Sequence, residues 1–441
     1  MQITYFFSTL INRSKRKVSL ALSKRLIPKR PQPIDWKKIR VRLIKISVVF
    51  VLVLVSVYLI YPLIISFKSF KIERDSSDQR VLRDITNGSK TSFLLIGIDQ
   101  RAKTNIFIDS LILVSFDNNT KQVGIFAINP DINVYVTKYQ KEFNLRSLFS
   151  YSEAEKQEIP FLIEIVENLL AFRIDRYVKF DIESMLKFTN VLTPVTINFD
   201  KNLSDPDMSK FTNGKTSWAK GTQMVFPNEF LALMAAGTNG EDIRLNNQAQ
   251  LVREILDNII SFSSLLKVNQ MIANSDVYFK TDLSKTEILN VLNFLRTTSI
   301  DRYKIAYTKD ISLVKIPTNF GIYPQFEPVL ESIDQDISTI LLNNDVLKEQ
   351  AGVEVLNGSG IGGLANSRAR WITNSGGRVV HFGNSIEESN ETLIYVIDKE
   401  KYPATLNELN KVFNNKAKLV REEYKYKHFG DIVVVVGKEY E

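Results

Sequence analysis

SFLLIGID (Ser92–Asp99), SLILVSFD (Ser110–Asp117) and QVGIFAIN (Gln122–Asn129) are three short apolar runs, each closed by a polar turn residue. Runs of this length without a helical repeat read as strands buried on both faces. Downstream the period changes. FLIEIVENLLAF (Phe161–Phe172) carries apolar residues at helical spacing, and QAQLVREILDNIISF (Gln248–Phe262) aligns Leu251, Val252, Ile255, Leu256, Ile259 and Ile260 along one stripe. Ser284 followed by Glu287 is a capping box that opens the helix ILNVLNFL. Strands interleaved with helices predict an α/β (α+β) domain over residues 91–310, with a central mixed sheet flanked by helices.

Residues 311–350 read as a connector containing Pro317, Pro324 and Pro328. The α/β pattern then restarts as a small second domain, residues 351–441. VEVLN (Val353–Asn357) is a strand, followed by a glycine turn and the helix LANSRARWI (Leu364–Ile372). RVVHF (Arg378–Phe382), TLIYVI (Thr392–Ile397) and DIVVVVG (Asp431–Gly437) supply further strands.

Upstream, residues 68–90 are polar and mixed in charge, a short stalk. Before them Ile46–Phe67 is a run of 22 residues without a charge. As a helix it is about 33 Å long, matching the ~30 Å hydrocarbon core of a bilayer. No small-x-small cleavage site follows it, so one uncleaved transmembrane helix is expected. Residues 1–45 carry 13 Lys and Arg against Asp35 alone. That basic tail places the amino terminus in the cytoplasm and the body outside a bacterial cell membrane.

The remaining 396 residues hold 44 basic and 48 acidic side chains, a balance that argues against nucleic-acid binding. Cysteine is absent and only two histidines occur, His381 and His428. Disulfides, thiolate metal sites and a cysteine nucleophile are therefore excluded, and any metal must be a hard cation held by oxygens. Gly358-Ser359-Gly360-Ile361-Gly362-Gly363 satisfies the literal G-x-G-x-x-G pattern between a strand and a helix. The next strand ends His381-Phe382-Gly383-Asn384 without the acid that holds a ribose. A tight turn, with no nucleotide cofactor, is the reading favoured.

Asp99 closes the first strand, Arg101 lies two residues on, and Asp109 opens the second. Two carboxylates at strand ends suit Mg²⁺, which takes few protein carboxylates alongside phosphate oxygens. Asp131 follows the third strand, while Arg244 and Gln248 sit one turn apart where a helix begins. Such an end favours anions. An ordinary turn role for the aspartates is the competing reading.

Around these residues the chain resembles the LytR-CpsA-Psr (LCP) family of cell-envelope proteins. LLIGIDQR (Leu94–Arg101) resembles its first strand motif, FIDSLILVSFD (Phe107–Asp117) its R-S-D-T strand and AINPDINVYV (Ala127–Val136) its I-P-R-D stretch. FNLRSLFSY (Phe143–Tyr151), RIDRYVKFDIESMLKFTNVL (Arg173–Leu192) and KGTQMVFPNEFLALM (Lys220–Met234) follow in family order. VEVLNGSGIGGLA (Val353–Ala365) resembles the LytR carboxy-terminal domain.

The resemblance implies an enzyme that binds a polyprenyl-pyrophosphate-linked glycopolymer, its isoprenoid tail in an apolar pocket, and transfers the glycan phosphate to peptidoglycan. By position Asp99 and Asp109 are then the Mg²⁺ ligands, Arg101, Arg244 and Gln248 face phosphate, and Asp131 supports them. Membrane lipid, glycopolymer and peptidoglycan are the implied partners. Five family arginines are replaced, by Phe107, Pro130, Ala235, Gly237 and Asn247. A transition-state donor of this kind contributes on the order of 10²–10³ in rate. The expected reaction is therefore weak or altered, with Arg146 or Lys103 as partial substitutes, and the alternative is a non-catalytic protein that binds glycan or scaffolds other enzymes.

Overall fold

The computed structural model describes Lys45 and, from Glu73 to Tyr440, all residues except 81, 83–84, 86–89, 101–105, 137–138, 155–156, 182–183, 186–187, 189–193, 206–208, 210–214, 216, 236–239, 260–278, 317–323 and 342. The chain divides into two units, Met1–Ile65 and Ser66–Glu441. The expected span 46–67 lies outside the described residues, among which no helix is long and apolar enough to cross a membrane.

Six strands form the main sheet: β1 (Lys90–Asp99), β2 (Phe107–Asp117), β3 (Gln122–Ile128), β4 (Arg176–Asp181), β5 (Lys280–Thr281) and β6 (Tyr303–Tyr307). Their spatial order is β5-β4-β1-β2-β3-β6. β1, β2 and β3 run antiparallel, whereas β4 joins β1 and β6 joins β3 in parallel, so the sheet is mixed.

Both faces are covered, which explains why the strands read as continuous apolar runs. Leu94, Ile96, Leu111 and Leu113 face α1 (Glu158–Leu170), while Phe93, Ile112, Val114 and Phe116 join the layer of α2 (Phe230–Ala235), α3 (Glu241–Asn258) and α4 (Lys285–Arg296). α4 opens with the expected capping box: the Glu287 N–H donates to Ser284 Oγ and the Ser284 N–H to Glu287 Oε2. α3 begins seven residues before the Gln248 start read from periodicity. Its N-cap is Gly240 at φ 109°, with no side-chain cap to announce it. A further helix, α5 (Leu330–Leu341), inserts Ile333, Ile337 and Leu341 beside α1.

The carboxy-terminal part has five strands, β7 (Gly352–Asn357), β8 (Arg378–Asn384), β9 (Leu393–Tyr395), β10 (Lys418–Val420) and β11 (Ile432–Val436), in the order β8-β7-β11-β9-β10. α7 (Leu364–Asn374) and α8 (Pro403–Val412) cover one face, and the short helix α6 (Asn344–Glu349) precedes the sheet. The glycine turn after β7 closes on itself. Asn357 Oδ1 accepts from the Ser359 N–H and hydroxyl, and Asn357 Nδ2 donates to the Ile361 carbonyl. Gly360 and Gly363 hold φ of 81° and 79°, the left-handed region glycine alone enters cheaply.

Candidate functional site

The registers of β1 and β2 shift at their outer end. Gly97 pairs with Ser110 and Ile98 with Ile108, so Asp109 is an extra residue without a cross-strand partner. A bulge of this kind re-aims a side chain next to functional sites. Asp99 pairs with Phe107 on the adjacent strand end.

The bulge is clamped from outside. The hairpin Asn133–Val136/Lys141–Asn144 delivers Arg146, whose N–H donates to the Pro130 carbonyl and whose own carbonyl accepts from the Ile108 N–H at 2.8 Å. The Arg146 side chain then reaches two acids. Its Nη1 donates to Asp109 Oδ1 at 2.9 Å, while Nε and Nη2 form a fork on the Asp131 carboxylate. Arg146 and Asp131 are both buried.

α3 supplies the other wall. Arg244 Nη1 donates to the Asp109 carbonyl at 3.0 Å, and its Nε and Nη2 fork onto Glu241 one turn earlier. Gln248, one turn later, donates from Nε2 to the Met234 carbonyl at 2.7 Å and accepts from the Ser110 hydroxyl. Two guanidiniums from distant segments thus converge on one residue, Asp109.

Burial pushes the Asp131 carboxyl above its ordinary value, with Arg146 pulling the other way. Burial opposes the charge on Arg146, yet Asp131 and Asp109 hold that guanidinium firmly protonated. Arg244 follows the same pattern, with Glu241 outweighing its burial. Among the described residues three carboxylates, Asp109, Asp131 and Glu241, face two cations, Arg146 and Arg244, an excess of one negative charge. A bare diphosphate would be repelled, whereas a divalent cation would restore the balance. The donors fit a hard cation completed by phosphate oxygens more than an all-protein cage. Among the described residues no group of three acids or histidines is arranged to hold a metal alone.

Of the residues expected from sequence, Asp109, Asp131, Arg244 and Gln248 meet here. Asp99 lies on the neighbouring strand end, and Arg101 falls outside the described residues. Arg146, read from sequence only as a substitute, is the hub. Glu241 was missed. Its signal is the three-residue spacing to Arg244, visible only once α3 is known to start at Glu241. Asn247, where the sequence resemblance led us to expect an arginine, is 3 % exposed and its Nδ2 finds no acceptor. The Asn129 Nδ2, two residues before Asp131, is likewise buried without one.

Two cavities lie away from this cluster. One, of about 430 Å³, is bounded by α1 and α7 and includes Arg173 and Trp371. The other, of about 620 Å³, lies between α4 and the far ends of β1 and β2.

Comparison with known proteins adds to this geometry. The chain matches the family described as LytR_cpsA_psr over residues 62–331. It matches the module described as LytR cell envelope-related transcriptional attenuator over residues 350–440. It is 24 % identical over 211 residues to a polyisoprenyl-teichoic acid–peptidoglycan teichoic acid transferase, TagU of Bacillus licheniformis, covering 47 % of this chain and 65 % of that protein. It is 26 % identical over 186 residues to TagV of Bacillus subtilis, covering 41 % and 46 %. The chain thus spans less than two thirds of the length of these relatives. The crystal structure of B. subtilis TagV superposes with a TM-score of 0.45 at 22 % identity, over 56 % of this chain and 95 % of that one.

Proposed function

Because this chain belongs to the LytR_cpsA_psr family and carries a LytR carboxy-terminal module, we propose that it is a membrane-anchored cell-envelope protein that engages a polyprenyl-pyrophosphate-linked glycopolymer and transfers its glycan phosphate to peptidoglycan at an attenuated rate. The amino-terminal tail is cytoplasmic, residues 46–67 span the membrane, and the body works outside. The observation that carries this reading is the convergence of Arg146 and Arg244 on Asp109 at the mouth of the sheet.

Asp99 and Asp109 would hold Mg²⁺, which supplies charge neutralisation on the diphosphate. Among the described residues Arg146 is the guanidinium nearest the bulge: fixed by Asp131, it keeps Nη1 aimed at Asp109 Oδ1. Arg244 holds the Asp109 backbone, so the bulge keeps its shape when ligand arrives. Arg101 and Gln248 face phosphate by the same family correspondence, with Asp131 in support. The orphaned amides of Asn129 and Asn247 are buried donors that lack protein acceptors, in keeping with a site completed by ligand or water.

Attenuation follows from the five replaced arginines. Each charge-assisted bond lost removes about 1.5–3 kcal/mol, and asparagine or proline offers no guanidinium fork in exchange. A second reading, binding without turnover, is favoured by one feature: among the described residues of the site, Arg146 and Arg244 are already forked onto Asp131 and Glu241. The test is Mg²⁺-dependent release of polyprenyl phosphate from a lipid-linked glycan by the full chain in detergent, with peptidoglycan present as acceptor. Turnover that disappears in Asp109→Ala and falls at least about 10²-fold in Arg146→Ala is the expected result. Substrate binding without release in the parent chain would establish the second reading.

A further inference from the structure

The carboxy-terminal sheet ends on β8, and among the described residues no strand pairs with its outer side. Natural sheet edges are blunted by shortness, lysine or proline. β10, at the opposite end, is three residues long and opens on Lys418. β8 has seven residues, Arg378-Val379-Val380-His381-Phe382-Gly383-Asn384, without lysine or proline. Val380 is the extra residue of a bulge opposite β7, and His381–Asn384 then pairs regularly with Glu354–Asn357. Val380, Phe382 and, just beyond the strand, Ile386 are 38 %, 50 % and 71 % exposed.

The backbone fixes which groups this edge offers. The Ser385 N–H donates inward, to the Asn357 carbonyl at 2.9 Å. Alternation along the strand then turns the N–H and C=O of Gly383 and His381 inward as well, and those of Phe382 and Asn384 outward. Outward residues flanking an inward one are a self-complementary set. In an antiparallel pair of such edges Phe382 of one copy exchanges hydrogen bonds with Asn384 of the other, and the two-fold axis repeats the exchange. Gly383 then meets its own counterpart on the axis, a non-hydrogen-bonded position where side chains approach closest and where glycine has none.

Charge is distributed to match. Arg378 opens the strand, and Glu387 and Glu388 follow its end in exposed ion pairs with Lys425 and Lys438. Exposed pairs of this kind are weakly held, so their carboxylates can face a guanidinium as well. Antiparallel approach sets Arg378 of each copy towards the glutamates of the other, and Val380 beside Ile386. We propose that β8 is a self-association surface: two copies of this chain pair antiparallel through their β8 edges, about an axis at Gly383, and so join their five-stranded sheets. The surface lies in the carboxy-terminal module and needs no chemistry at the acid–arginine cluster.

The chain contains no cysteine, so a single introduced thiol reports a contact cleanly. The test is sedimentation of the full chain in detergent over a concentration series, together with disulfide cross-linking of Gly383→Cys under mild oxidation. Facing residues at a non-hydrogen-bonded position stand about 4.5 Å apart at Cα, within disulfide range. A concentration-dependent dimer is expected, and a covalent dimer from Gly383→Cys but not from Ile397→Cys, a control that is 70 % exposed and lies beyond β9. Asn384→Pro removes an outward N–H at an edge position that tolerates proline, and with it half of the interchain bonds. It should weaken dimerisation at least about tenfold. Phe382→Lys, at an exposed site, should weaken it as well with every backbone donor kept. A chain that stays monomeric, leaving the edge to a strand of another protein, would overturn the assignment. So would a dimer indifferent to both substitutions, or cross-linking of Ile397→Cys as readily as of Gly383→Cys.

Discussion

Asp242 opens α3 two residues before Arg244, and its Oδ1 accepts the Asp310 N–H at 2.9 Å. Its carboxyl is pushed up to about 6, first by burial and then by the charge of Asp310. A folded-state value raised above the unfolded 3.8 means that the charged form is disfavoured. The stabilising contribution is complete below the unfolded value and is lost as pH climbs through about 6. Near neutral pH the residue therefore weakens the helix end that carries Arg244. Asp242→Asn keeps an acceptor for the Asp310 N–H and removes the charge. The variant should gain about 1 kcal/mol near pH 7.5 after discounting for solvent screening, and nothing near pH 2.5. Thermal unfolding at both values checks the sign; an equal gain at each would contradict it.

At the scale of elements, the approach of α5 to the main sheet depends on one missing side chain. A Cβ at Gly124 in β3 would stand 2.7 Å from the Ile340 carbonyl oxygen and 2.7 Å from Ser115 Oγ. The helix can lie on the strand only because nothing projects there. Gly124→Ala should therefore cost about 1–3 kcal/mol through overpacking, although alanine is the better strand residue by entropy. Urea unfolding measures this directly. An unchanged midpoint would mean that α5 shifts outward without loss. The bulge at Asp109 is the opposite device, an added residue that ends regular pairing so that a carboxylate can leave the sheet.

Across the whole molecule, the two sheets are joined through α7. Arg370 forks onto Asp334 of α5 and donates to the Asn168 and Leu169 carbonyls of α1. Asn374 adds bonds to Asp334 and to the Leu170 carbonyl, which also satisfies the end of α1. Those carbonyls are the unpaired acceptors that a helix end leaves behind. Arg370→Ala should remove roughly 2–3 kcal/mol of coupling, a charge-assisted contribution. Calorimetry should then resolve two unfolding transitions, with the carboxy-terminal sheet melting apart from the main one. A single transition at the parent temperature would show that apolar contact alone couples them.

Much of this architecture was open to a reader of the chain alone. The runs ending at Asp99, Asp117 and Asn129, the stripe in α1 and the Ser284–Glu287 capping box are local patterns, repeated every two or every three to four residues, and local patterns survive without tertiary context. The resemblance also set Phe107, Pro130 and Asn247 where the family carries arginine, an expectation read from the chain alone. Only the tertiary structure decided which groups meet. Arg146 reaches Asp109 across 37 residues and Arg244 across 135, and no periodicity encodes such a closure. The start of α3 stayed hidden for a smaller reason, a glycine cap without a side chain. Spacing along the chain sets the elements; the packing of distant segments around a bulge sets which arginine faces which acid.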